Sequence, residues 1–133
     1  MNYWLLKTEP STYAYADLVK AGQAVWDGVS NALALKHIRT MQIRDQALIY
    51  HTGSERQAVG IAEVVSGPYP DPHNPKLTVI EVQALRPLDR PVALAQLKSE
   101  PIFSECALLK MPRLSVVPLT GAQWQKILLL ASG

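Results

Sequence analysis

The sequence contains few of the residues that build metal or cofactor sites. It has one cysteine, Cys106, and seven glycines in 133 residues. A lone cysteine excludes an internal disulfide bond and a zinc site made of several cysteines. The histidines His37, His51 and His73 are not spaced like metal ligands, and the glycines do not form a phosphate-binding loop. We therefore expect no metal and no cofactor.

Long hydrophobic runs are also absent. The apolar run at residues 3–6 ends at Lys7-Thr8-Glu9-Pro10, so it is too short for a signal peptide or a transmembrane helix. We predict a soluble, cytoplasmic protein that does not associate with membranes.

The composition indicates one globular domain over residues 1–133, because 48% of the residues are hydrophobic and 18% are charged. The formal net charge is +2 and the pI is about 8.8. This mildly basic balance permits nucleic-acid binding but lacks the charge density of a strong phosphate binder.

Ten prolines and few glycines favour a sheet-rich fold with rigid corners over a helical bundle. Alternation and β-branched runs predict strands at residues 3–8, 47–52, 58–65, 77–88 and 113–119. Helices are predicted after Ser11-Thr12, at 32–39, 93–99 and 101–105, and after Thr120. Residues 66–75, with four prolines, are predicted to be a loop, and 86–92 an extended corner. Together these elements predict an α+β fold, a small closed or partly closed, mostly antiparallel barrel with helices packed round it.

Three local features carry specific structural predictions. Asn31 is a good N-cap for the helix at 32–39, and Thr120 with Gln123 forms a capping box for the last helix. Gly60, inside a predicted strand, indicates a β-bulge or a point where another group approaches the backbone closely.

The stretch at residues 25–31, VWDGVSN, is the centre of the interpretation. Trp26 offers a flat apolar surface with one N–H donor, and Gly28 can adopt a positive φ. Asn31 can cap a helix or face a ligand. Two interpretations remain open: a core tryptophan beside a tight turn, or the aromatic wall of a pocket.

Polar residues cluster at the ends of three predicted strands, at 7–9, 50–52 and 113–115. Such residues are well placed to line the mouth of a barrel. Each cluster also has a purely structural interpretation. Lys7 and Glu9 can form a solvated pair, His51 can be a hydrogen-bonded structural histidine, and Arg113 can bind helix C-terminal carbonyls. No spacing joins these groups into a known catalytic signature.

Several blocks of the sequence together resemble the EVE domain family. They lie at residues 3–10, 26–31, 50–52, 59–62, 69–71 and 113–116, in the family's order and over nearly the whole chain. The resemblance implies a PUA-like pseudo-barrel related to the YTH domain. It also implies a non-catalytic module that binds a modified base, either a modified cytosine in DNA or a modified base in RNA, in an aromatic-walled pocket. A flipped-out base offers a π-face to stack on and a polar edge to hydrogen-bond.

The resemblance places a set of residues around that pocket. Trp26 would be the stacking wall, Glu9 or Asn31 would read an exocyclic amine, and Lys7 or Arg113 would contact a phosphate. The full predicted set is Lys7, Thr8, Glu9, Trp26, Gly28, Val29, Asn31, Tyr50, His51, Thr52, Arg113, Leu114 and Ser115.

Two positions depart from the family pattern. Ser30 stands where the family usually has Arg, which removes a charge beside the predicted pocket. Pro112 stands where it usually has Ser, which removes a hydroxyl and a backbone donor. These departures bear on the identity of the ligand more than on the presence of a pocket.

Two other functions compete with base recognition. PUA-like relatives of the ASCH type resemble hydrolases of modified nucleosides, and Lys7, Thr8, Glu9 and His51 include the acid, base and nucleophile types that such an enzyme needs. The proline-rich segment 66–75 could instead serve a protein-interaction adaptor. The leading prediction is a monomeric module whose partner is nucleic acid.

Overall fold

A computed structural model describes residues 1–132. Its strands and helices follow in the order β1 (Tyr3–Thr8), α1 (Tyr15–Ala21), β2 (Gln23–Trp26), α2 (Ala32–Thr40), β3 (Gln46–His51), β4 (Gln57–Val64), β5 (Tyr69–Asp71), β6 (Asn74–Ala93), α3 (Leu94–Lys98), a 3₁₀ helix (Pro101–Phe103), α4 (Ala107–Lys110), β7 (Val116–Leu119) and α5 (Gly121–Ser132).

The strands form one mixed sheet in the order β2-β6-β4-β3-β1-β7, with β5 paired to β6. Only β1 and β3 are parallel among the described strand pairs. The α+β class and the mostly antiparallel sheet are therefore confirmed. Closure into a barrel is wrong, because the sheet is open and ends at β2 and β7. Both edge strands have four residues, and Pro118 in β7 has no N–H to donate to a further strand.

The parallel pair β1 and β3 lies at the centre of the core. Leu5 and Leu6 of β1 and Leu48 and Ile49 of β3 are almost completely buried. Continuous apolar runs of this kind are typical of strands that are covered on both faces. This buried pair fixes the position at which Lys7 and Thr8 emerge from β1.

The local predictions at Asn31, at Gly60 and at the last helix are confirmed. Asn31 Oδ1 accepts a hydrogen bond of 3.0 Å from the backbone N–H of Ala34. The strand register shifts at Gly60, where β4 pairs with β6. Thr120 and Gln123 exchange the two hydrogen bonds of a capping box.

The start of α1 was predicted wrongly. The helix is capped at Ala14, whose N–H donates to Asp17 Oδ2 at 2.8 Å. Ser11 instead donates from its backbone and its hydroxyl to Glu9 Oε1, so it belongs to the turn after β1. Both Ser and Asp favour such local hydrogen bonds, and the sequence alone did not show that Asp17, and not Ser11, bonds the beginning of the helix.

The segment after β4 is more regular than predicted. Residues 66–75 contain β5 and the beginning of β6, and β6 continues through the predicted corner at 86–92. Pro87 is tolerated in this long strand because it lies opposite Gly60, where the ladder is irregular. The short elements β2 and α4 were not predicted, because four residues carry too little periodicity to be recognised.

Candidate functional site

A cleft of about 560 Å³ lies between the end of β1, the turn before α1, and β2 with the loop that follows it. This volume is in the range of pockets that bind small molecules, about 300–1,000 Å³. Its walls combine apolar side chains with a few polar groups. The lining residues are Lys7, Thr8, Thr12, Tyr13, Ala24, Val25, Trp26, Asp27, Gly28, Val29 and Ser115.

Trp26 and Tyr13 form an aromatic corner in this cleft. Their ring centroids are 6.4 Å apart and the ring planes meet at 80°. Trp26 is the last residue of β2, where it pairs with Ile80 of β6, and it is only 7% exposed. Its indole N–H donates no hydrogen bond within residues 1–132, yet no buried side-chain nitrogen or oxygen there lacks a partner. That N–H is therefore not completely enclosed by protein atoms.

The turn after β1 places Tyr13 opposite Trp26. The carbonyl of Glu9 accepts hydrogen bonds from the backbone N–H groups of Thr12 and Tyr13, both at 2.9 Å. Thr8 Oγ1 donates to the carbonyl of Tyr13 at 2.6 Å and ties the turn to the end of the strand. The position of Tyr13 is thus set by hydrogen bonds within the turn and to the end of β1.

The other side of the cleft follows from the turn after β2. Gly28 has a φ of +77°, a conformation that glycine adopts without strain. The chain then buries Val29 and reaches Asn31, whose side-chain oxygen is engaged in capping α2. Ser30 is exposed and does not line the cleft.

Lys7 borders the cleft at the end of β1. Its Nζ donates to the carbonyl of Pro112 at 2.8 Å and lies 5.9 Å from the centroid of the Tyr50 ring. Burial lowers the pKa of Lys7 below its ordinary value, with an opposing influence from Cys106. Because the acceptor is a backbone carbonyl, Pro112 can hold Lys7 without the serine hydroxyl that the family pattern usually has there.

The cleft brings together six of the residues predicted for the site: Lys7, Thr8, Trp26, Gly28, Val29 and Ser115. Tyr50 and Thr52 instead line a second cavity, which also contains Lys7. Arg113 is exposed and makes no side-chain hydrogen bond or ion pair within residues 1–132, while Leu114 is buried. Lys7 and Glu9 form no ion pair with each other among the described residues.

Both ring nitrogens of His51 make hydrogen bonds within the protein. Its Nε2 accepts a hydrogen bond of 3.0 Å from the backbone N–H of Tyr15, and its Nδ1 lies 2.9 Å from Glu55 Oε1. Because Nε2 accepts, the neutral ring carries its proton on Nδ1 and donates it to Glu55. This bond is the largest cause of the lowered pKa of Glu55. The buried imidazole joins the start of α1 to the end of β3.

Sequence reasoning missed five lining residues: Thr12, Tyr13, Ala24, Val25 and Asp27. Val25 and Asp27 belonged to the central stretch but were given no role. Tyr13 had no signal of its own, because its place in the cleft depends on the turn that begins at Glu9. The only indication in the sequence was that Tyr13 is an aromatic residue that follows closely after Thr8, the last residue of β1.

The described residues contain no group of three or more His, Cys, Asp and Glu side chains that could hold a metal ion. No helix within residues 1–132 is long and apolar enough to cross a membrane.

The open, mostly antiparallel sheet with short helices around it has the PUA-like architecture that the sequence predicts. Residues 2–130 match the EVE domain family, and the chain therefore belongs to that family. It is similar to thymocyte nuclear protein 1 of Rattus norvegicus, with 31% identity over 97% of this chain and 73% of the rat protein.

Two solved structures extend the comparison. A protein of Rhodopseudomonas palustris, solved by NMR, is 37% identical and superposes with a TM-score of 0.94 over 99% of this chain and 94% of its own. Human THYN1, solved in complex with DNA containing 5-methylcytosine, is 27% identical. It superposes with a TM-score of 0.90 over 100% of this chain and 99% of its own.

Proposed function

We propose that this protein is a non-catalytic module that binds a modified cytosine of DNA in the cleft between Trp26 and Tyr13. The observation that carries the proposal is the aromatic corner in a cleft of about 560 Å³, within a fold shared with a DNA-bound human relative. That relative, THYN1, was solved with DNA containing 5-methylcytosine.

The aromatic corner suits a flat, flipped-out base. One ring offers a face for stacking, while the other, turned by 80°, bounds the edge of the stacked base. Stacking on an aromatic side chain is worth roughly 1–3 kcal/mol per base. Val29 adds an apolar surface in the same wall, which suits a methyl group on the pyrimidine ring.

Polar groups around the corner can read the edge of the base. The N–H of Trp26, which has no acceptor among the described residues, would donate to a ring carbonyl, and the carboxylate of Asp27 would accept from the exocyclic amine of cytosine. Lys7 contributes a cation at the border of the cleft, where a phosphate adjoining the bound base would lie. Such an arrangement can hold a base. Lys7, Thr8 and Ser115, which also line the cleft, would position the base and would not attack it.

The test compares oligonucleotides that differ only in the methyl group of one cytosine, each as DNA and as RNA. Dissociation constants are measured for the wild type and for Trp26→Ala, Tyr13→Leu and Tyr69→Leu. Tyr69 is a matched control, because it is a partly buried tyrosine on β5 that lies outside the cleft. Since stacking is worth roughly 1–3 kcal/mol, removing either cleft aromatic should weaken binding of the methylated DNA roughly 5- to 150-fold.

The proposal expects the wild type and Tyr69→Leu to prefer methylated DNA, and the two cleft variants to lose that preference. Equal affinity of the wild type for methylated and plain cytosine would refute it. A preference confined to the RNA oligonucleotides would move the function to a modified base in RNA. Mass analysis of the recovered nucleosides must show them unchanged, since conversion would identify a hydrolase. If the protein binds no nucleic acid, the base-binding proposal is refuted and the protein-interaction adaptor is the function to test next.

A further inference from the structure

A second cavity, of about 320 Å³, lies on the other side of Lys7. It is formed by the ends of β1 and β3, the turn that joins β3 to β4, and the chain around α3 and α4. Its lining residues are Lys7, Tyr50, Thr52, Gly53, Arg56, Leu94, Lys98, Leu108 and Pro112. Because Lys7 lines both cavities, a ligand that fills the cleft has a neighbouring place to continue.

The charges in this second cavity have one sign. Lys7, Arg56 and Lys98 all line it, and no aspartate or glutamate does. None of the three cations forms a salt bridge within residues 1–132. The carboxylate of Glu9 lies against two lining residues, Gly53 and Thr52, and it also accepts hydrogen bonds from Ser11. Three cations without a salt-bridge partner among the described residues favour the binding of an anion here.

Tyr50 adds a neutral donor to these cations. Its side chain is only 3% exposed, and its hydroxyl makes no hydrogen bond within residues 1–132 although no buried oxygen there lacks a partner. The hydroxyl is therefore not completely enclosed by protein atoms, and Tyr50 is part of the cavity lining. Burial raises the pKa of Tyr50, and the nearby Arg56 opposes that rise. A phenol that keeps its proton can donate to an anionic oxygen.

Arg56 is held in an unusual backbone conformation. Its φ is +50°, a region that residues other than glycine rarely adopt. The carbonyl of Arg56 accepts a hydrogen bond of 2.9 Å from Leu94, and its Nε donates to the carbonyl of Gly53 at 3.3 Å. These bonds hold Arg56 in the lining of the cavity. Backbone strain of this kind concentrates at functional sites.

We propose that this second cavity binds a phosphate group of the DNA backbone, adjacent to the base in the cleft. Arg56 and Lys98 supply the charge, Tyr50 supplies a neutral donor, and Lys7 lies between base and phosphate. The inference rests on the proposed function for the source of the phosphate, since a base held on one side of Lys7 brings its own backbone past the other side.

Salt dependence tests this assignment directly. Each phosphate contact in single-stranded DNA makes the slope of log K against log salt more negative by about 0.7. The double variant Arg56→Gln/Lys98→Gln removes the two exposed cations that would neutralise this one phosphate, so its slope should be less negative by about 0.7. The matched control Lys36→Gln/Lys76→Gln removes the same charge from exposed positions outside both cavities and should leave the slope unchanged.

The oligonucleotides are single-stranded DNA with and without one 5-methylcytosine. Retained preference for the methylated strand, together with the reduced slope, is the result expected for the double variant. An unchanged slope would overturn the phosphate site even if the base preference were intact. A reduced slope in a protein that shows no base preference would support the phosphate site and count against the proposed base pocket.

A further arm separates DNA phosphate from a free anion. Chemical shifts of the backbone amides around Arg56 are followed while inorganic phosphate is added to the wild type and to the double variant. A response to inorganic phosphate that the double variant loses, with its DNA slope unchanged, would assign the cavity to a free anion and overturn the DNA assignment. Failure of the wild type to bind either oligonucleotide would overturn both proposals.

Discussion

The ring of Tyr15 lies directly against the backbone of Gly60. A Cβ atom at position 60 would be 2.3 Å from Cζ of Tyr15, which is far inside van der Waals contact. The Tyr15 hydroxyl crosses β4 at this point and donates to the carbonyl of Ile61 at 2.8 Å. The absence of a side chain at Gly60 thus lets α1 be held against the sheet, and the turn that carries Tyr13 lies immediately before α1.

Gly60→Ala is expected to destabilise the protein by about 1–3 kcal/mol, as is typical when a packed interior is overfilled. The added methyl group must displace the Tyr15 ring, because both are buried. Chemical denaturation gives the change in the free energy of unfolding. Gly67→Ala is the matched control, since nothing lies within 4 Å of a Cβ there. Equal stability of the two variants would contradict the close contact between Tyr15 and Gly60.

The sequence predicted the elements whose signals are local. The apolar runs of β1 and β3 identified the central pair, and Asn31 identified the beginning of α2. Even the close approach at Gly60 was predictable, because a glycine inside a buried strand lacks the side chain that packing would otherwise demand. Each of these inferences needs only neighbouring residues.

The partner of Trp26 could not be predicted in the same way. Tyr13 reaches the cleft through the hydrogen bonds of the turn after β1, and β2 forms by pairing with residues more than fifty positions later. Closure of the barrel also failed as a prediction, because pairing of β2 with β7 depends on geometry across the whole sheet. Non-local contacts of this kind leave little trace in a single sequence.

His51 provides a test of the scaffold below the cleft. His51→Phe is expected to lose about 1–3 kcal/mol of stability, because the buried N–H of Tyr15 is left without an acceptor. His51→Gln should lose less, since its amide oxygen can accept from Tyr15. Chemical denaturation of both variants measures the difference. Equal losses would show that packing of the ring, and not its acceptor, is what α1 requires.

The hydrogen bond between His51 Nδ1 and Glu55 Oε1 has a consequence for acid stability. His51 lowers the pKa of Glu55, so this carboxylate contributes stability above its unfolded pKa and loses it as the pH falls through the lowered folded pKa. His51→Phe should therefore lose less stability than the wild type over that acidic window. Denaturation curves measured at a series of pH values, with Glu55→Gln as a second variant lacking the titration, check this sign.

The charged side chain of Lys7 is expected to lower the free energy of unfolding while it contributes to DNA binding. Burial lowers its pKa, so the folded state binds fewer protons than the unfolded state between that lowered value and the ordinary value of 10.5. The free energy of unfolding therefore rises with pH across that window. Below the lowered pKa, the amine is charged in both states and the full cost of burying the charge is present. Lys7→Met removes the penalty and keeps the apolar stem.

Lys7→Met should consequently be more stable than the wild type at neutral pH, while binding DNA more weakly. Its advantage should shrink as the pH rises through the lowered pKa of Lys7, because the wild-type amine then becomes neutral. Free energies of unfolding at neutral pH and around pH 10 measure this change, with the exposed Lys36→Met as the control. An advantage that is the same at both pH values would mean that it comes from packing. In that case the charge of Lys7 would not reduce the stability of the fold, and the prediction that this residue favours binding at the expense of stability would be wrong.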